Sequence, residues 1–145
     1  MAVNPTAQQL EALSALAGSG ADGPLVMLNL NTYRERAHYE ADPPGGESPD
    51  VSGREAYERY GRVALPVLAS VGGEVLWGAP ATMLVIGDEG DGCDEVIAVR
   101  YPSAKAFLGL ALHPDITAAL PHRSAGLARA ALIRCDDAAL GARPS

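Results

Sequence analysis

The chain is short of the residues from which most recognisable active sites are built. Its 145 residues hold three histidines, two cysteines, one tryptophan and one phenylalanine. Cys93 and Cys135 form no C-x-x-C and share no ligand spacing with histidine, so the plain expectation is two reduced thiols. His38, His113 and His122 show none of the H-x-H, H-x-x-x-H or H-x-x-E spacings of a metal centre, and no metal is expected. There is no P-loop and no G-x-S-x-G nucleophile elbow. A basic cluster is missing too: 18 acidic residues outweigh 11 basic ones, for a net charge of -7 and a pI near 4.8. That balance argues against nucleic acid and anionic membrane surfaces as partners. No apolar run approaches the roughly 20 residues of a membrane span. The first residues lack the basic and apolar stretches of a signal peptide, so the expected location is cytoplasmic. With 48% apolar and 20% charged residues, the chain reads as a single globular domain over 1–145.

Residues 1–23 read as an N-terminal helix and linker. Asn4 or Thr6 can cap the helix, with Thr6 and Gln9 forming a capping box in the second case. Leu10, Leu13 and Leu16 recur at helical spacing and Gly18 ends the run. The core is expected over 24–135. Leu25–Asn31 alternates as a strand whose second face turns polar at Asn29 and Asn31. The charged, Pro- and Gly-rich stretch 32–52 is an insertion, either a lid or disordered, and its composition favours disorder. Gly53–Val71 is an amphipathic helix with Tyr57, Tyr60, Ala64 and Val67 on one face, Glu55–Arg59 and Glu58–Arg62 pairs on the other, and a kink expected at Pro66. Glu74–Trp77 is a short strand, Gly78-Ala79-Pro80 a bulge or bend, and Ala81–Gly87 its continuation. Asp94–Tyr101 is the next strand. Ser103 caps a helix over 104–112, Pro114 restarts a helical turn that Pro121 interrupts, and 128–135 is the last strand. Residues 136–145 read as a loose tail.

After the first helix the order is β-α-β-β-α-β. The predicted fold is therefore α+β and ferredoxin-like, with an antiparallel four-stranded sheet and an extra N-terminal helix. Two helices on one face leave the other bare, with Met27, Trp77 or Leu76 and alternate residues of the last two strands expected on it. A bare apolar face of this size calls for a partner, and a symmetric homodimer, sheet to sheet, is the simplest one.

Several segments together carry a resemblance: Val26-Met27-Leu28-Asn29-Leu30, Tyr57-Glu58-Arg59-Tyr60-Gly61, Gly72-Gly73 with Leu76 and Trp77, Arg100-Tyr101-Pro102-Ser103, Ala106-Phe107, Pro114 and His122-Arg123. On these the chain resembles the dimeric α+β barrel superfamily. Within it the nearest likeness is to a family of small bacterial proteins sharing a domain of unknown function. The resemblance implies two sheets facing each other around a barrel. It places a ligand cavity inside that barrel or between each sheet and its helices. Relatives include cofactor-free monooxygenases, muconolactone-type isomerases and polyketide cyclases, so the scaffold alone does not select a reaction.

Each candidate residue has a functional and a structural reading. His122 can move a proton near neutral pH, with Arg123 stabilising developing negative charge; or the two form a solvated helix-end pair. Arg100 shares a face with Val96 and Ala98, and clamps a substrate carboxylate or pairs with an acid such as Asp94 or Glu74. Tyr57 and Tyr60 offer phenols to a substrate oxygen or pack in the core. Asn29 contacts a ligand or bonds a neighbouring loop, and Trp77 is a core residue or dimer anchor rather than a cofactor platform. The combined expectation is a small cofactor-independent enzyme. Its substrate carries a carboxylate or enol, with His122 and Tyr57 catalytic and Asn29, Tyr60, Trp77, Arg100 and Arg123 binding. The alternatives are a metabolite-binding dimer without catalysis and a purely structural dimer.

Overall fold

The computed structural model describes residues 2–137, so nearly all of the expected tail lies outside the described residues. The elements are α1 (Ala7–Ala17), β1 (Leu25–Tyr33), α2 (Gly53–Ser70), β2 (Glu74–Pro80), β3 (Glu95–Tyr101), α3 (Ala104–Ala111), α4 (Pro114–Gly126) and β4 (Leu127–Asp136). The four strands form one antiparallel sheet in the order β2-β3-β1-β4. Each β-α-β crossover skips one strand, which the other crossover fills. This is the split arrangement that the β-α-β-β-α-β order requires.

Local chemistry accounts for the helix starts. Thr6 caps α1, with its side chain accepting from the Gln9 N–H and the Gln9 side chain returning to Thr6; Asn4 has no capping role. Ser52 caps α2 and Ser103 caps α3 in the same way. The half-buried Asp22 adds a second clamp at α3. It accepts from the N–H groups of Ala104 (2.7 Å) and Lys105 (3.1 Å), and the Ala104 bond above all holds its pKa below the ordinary value.

Directly opposed residues of an antiparallel pair share a face. The register therefore puts Leu25, Met27, Asn29 and Asn31 with Tyr101, Val99, Ile97 and Glu95 on the helix side. Leu25, Met27, Val99 and Tyr101 are buried there against Val67, Leu68, Ala104, Leu110 and Ile116. Met27 thus belongs to the covered face and not to the bare one. The bare face carries Val26, Leu28, Leu30, Val96, Ala98, Arg100, Trp77 and Ile133. Trp77 is 52% and Ile133 48% exposed, so no described helix covers this side.

Four expectations need correction. Ala81–Gly87 does not continue β2: after Pro80 pairs with Glu95, the facing chain is the Asp88–Asp94 turn, which offers no ladder beyond the bond from Ala81 N–H to Asp94 C=O. Strand-forming residues without a partner stay out of the sheet. The bulge falls at Leu76, between Val75 and Trp77. Pro121 does not interrupt α4. The insertion is also ordered. Arg36 bridges Ser52, Ala37 N–H donates to Val51 C=O (2.9 Å), His38 N–H to Ala125 C=O (2.9 Å) and Arg34 N–H to Gly126 C=O (2.8 Å). Backbone bonds to α4 fix a segment whose composition alone promised none.

Gly53 and Gly126 let α2 and α4 meet backbone to backbone. A Cβ on Gly126 would strike the Gly53 carbonyl, and one on Gly53 would strike the backbone of Arg34. This crossing sets which side chains of α2 and α4 meet.

Candidate functional site

The expected site residues fall into three places. Asn29 is tied within the sheet, its amide donating to the carbonyls of Met27 (3.3 Å) and Ile97 (3.2 Å). Arg100 and Trp77 stand on the bare face, and Arg100 Nε pairs with Asp137 Oδ2 at 2.8 Å. The remaining residues lie on the facing helices α2 and α4, but α4 splits its two. His122 and Arg123 are successive helical residues and point in different directions.

His122 is buried at 5% exposure. Its Nδ1 lies 2.6 Å from the Tyr39 hydroxyl. Arg59, also buried, donates from Nη1 to that hydroxyl (3.2 Å) and to the Ser48 carbonyl (2.7 Å). The Arg59 Nε meets Glu47 at 2.5 Å, and Nη2 lies 3.8 Å from Glu55. Arg59 can only donate, so it fills a lone pair of the Tyr39 oxygen; we assign the hydroxyl proton to His122 Nδ1 and the ring proton to Nε2. Burial keeps the His122 pKa below its ordinary value; Glu47 opposes that shift, while Arg59 and Arg62 add to it. A neutral imidazole is the form this tautomer needs. The network ties residues 39, 47 and 48 of the insertion to α2 and α4.

The second group is built on Tyr57 and Tyr60, one turn apart on α2, with ring centroids 5.6 Å apart. Tyr33, at the end of β1, stacks on Tyr57 at 5.4 Å. Its hydroxyl donates to Glu95, and Arg54 sits 3.5 Å from the same carboxylate and 4.8 Å above the Tyr33 ring. Asn31, 2% exposed, donates to the Tyr33 hydroxyl at 3.5 Å. Burial raises the pKa of Tyr33, Tyr57 and Tyr60, so all three are protonated donors near neutral pH. Arg123 stands about one helical turn before Gly126, where a Cβ would fall against the backbone of Gly53 and Tyr57, and its positive charge acts on the Tyr57 and Tyr60 phenols in the opposite sense. Arg123 donates to the Asn4 amide oxygen at 3.2 Å. Among the described residues no carboxylate lies within ion-pair distance of it.

Tyr33, Tyr39, Arg54 and Glu95 were not singled out from the sequence; Asn31 left a signal there only as the polar end of a strand face, and Arg59 only as half of a pair with Glu55. Among the described residues, no group of three His, Cys, Asp or Glu could hold a metal, and no helix is long and apolar enough to cross a membrane.

This architecture is shared. The crystal structure of RPA0582, a protein of unknown function from Rhodopseudomonas palustris, matches with a TM-score of 0.79 and 32% identity, over 94% of this chain and 96% of that one. The chain belongs to the RPA0582 family. The structure of methylated RPA0582 agrees, with a TM-score of 0.80 and 33% identity over 97% of each chain. No family model and no curated protein matches the sequence. Membership of the RPA0582 family establishes a shared fold and leaves the chemistry to the residues.

Proposed function

We propose that the protein is a homodimer, paired through its bare sheet faces as in dimeric α+β barrels. Each subunit is a cofactor-independent enzyme that moves a proton on a small metabolite bearing a carboxylate or an enolisable carbonyl. The observation that carries this reading is the Arg123 guanidinium at the α2–α4 crossing, whose charge acts on two half-buried phenols and whose only partner among the described residues is a neutral amide. A cation so placed favours an anionic ligand, and the phenols add donors aimed at the same charge.

In this reading Arg123 holds the anionic group and Tyr60 orients it. Tyr57, kept protonated by burial, donates to the oxygen that becomes negative as an enolate forms. Glu95, already accepting from the Tyr33 hydroxyl, takes the substrate proton through that hydroxyl. His122 lies outside this reading because its Nδ1 is engaged by Tyr39 on the other side of α4.

The test is a panel of small keto and enol acids, followed for binding by NMR and for turnover by product analysis. Arg123→Gln is expected to abolish binding. Tyr57→Phe is expected to keep binding and to lose about 100-fold or more in turnover. Binding with no turnover even in the wild type would make the protein a metabolite-binding dimer. For the assembly, sedimentation should give a dimer that Trp77→Glu dissociates; a monomeric wild type would end the barrel pairing.

A further inference from the structure

The segment ahead of α1 is tied down at two points. The Ala2 carbonyl accepts from Ala130 N–H on the outer edge of β4 at 2.9 Å. Two residues later the Asn4 side chain accepts from Arg123. Residues 2–4 therefore form a strap from the sheet edge to α4. Thr6 does the capping of α1, so the Asn4 side chain has no helical duty.

We infer that Asn4 gates the Arg123 site, its amide oxygen holding the place on the guanidinium that an anionic ligand group takes. The inference rests on the small-acid reading above and adds its regulation. A single neutral acceptor uses one of the five guanidinium N–H groups, whereas a carboxylate can engage two with full charge. The amide is thus strong enough to organise Arg123 in the empty site and weak enough to yield to the ligand. Ala2 and Asn4 are exposed and Val3 is half-buried; the strap lies outside every helix and strand and contributes no residue to the core clusters.

The experiment titrates acetoacetate into the full chain and reads backbone and arginine side-chain NMR shifts. It compares the wild type with Asn4→Ala, Asn4→Asp and Arg123→Gln. Removing the internal acceptor should tighten binding about threefold to tenfold, the worth of one neutral hydrogen bond. Asn4→Asp installs an internal carboxylate and should weaken binding by at least as much. Equal affinities in the wild type and both Asn4 variants, with binding still lost in Arg123→Gln, would overturn the gate and leave the site standing. Binding that survives Arg123→Gln, or binding in none of the proteins, would overturn the site reading and the gate together.

Discussion

Two polar clusters lie on either side of α4, and they use the same residue types to opposite ends. Around His122, Arg59 meets two carboxylates, a hydroxyl and a carbonyl, and the imidazole is closed off by Tyr39. On the Arg123 side, three tyrosines stack in a row, and the guanidinium whose charge acts on two of them has one amide as its described partner. A saturated buried network fixes geometry; a cation left without its counter-charge is a place for something else. The difference teaches that an arginine's neighbours, more than its burial, separate scaffold from site.

The comparison breaks most severely at the crossing that both clusters share. Gly126→Ala drives a methyl group into the Gly53 carbonyl and should cost about 3 kcal/mol or more, measured by denaturant unfolding. A near-neutral effect would show that α2 and α4 can part without loss. Arg59→Ala should destabilise by about 2 kcal/mol, a figure moderated because Glu47 and Glu55 remain partly solvated. It should leave acid binding intact, whereas Arg123→Gln should do the reverse; equal behaviour of the two variants would erase the distinction between the clusters.

A smaller effect tests the His122 side through pH. Its folded pKa lies below the ordinary value of 6.5, so the unfolded chain binds the proton more readily. The stabilisation is complete above that value and is lost as the pH falls through the lower folded one. Unfolding free energy should therefore decline with acidity below about pH 6.5, and His122→Gln should flatten that limb relative to the wild type. An unchanged slope would mean that His122 titrates alike folded and unfolded.

The sequence revealed much of this frame and less of its chemistry. Strand alternation at Leu25–Asn31 and the 3-4 spacing of Tyr57, Tyr60, Ala64 and Val67 are local signals, and the elements formed where they pointed. Ala81–Gly87 carried an equally good strand signal and failed, because pairing depends on what the chain opposite is doing. Arg59 read as half of a solvent-facing pair with Glu55; that contact exists, at 3.8 Å, yet the insertion folds over it and buries the guanidinium. His122 and Arg123 read as one unit by adjacency. Helical geometry sends neighbours apart, and only the positions of α2 and the insertion say where each one arrives. Glu95 and Tyr33 are far apart in sequence and meet only through the strand register.

The join between α4 and β4 has a mechanical consequence. The helix ends at Gly126 and the strand begins at Leu127, with no residue between. A helix turns about 100° per residue and a strand flips face at each one. With no slack in between, the angular phase of α4 is locked to the pleat of β4. One residue inserted at this joint would rotate the helix by about 100° against the sheet, pulling His122 from its socket and swinging Arg123 off the tyrosines in a single motion.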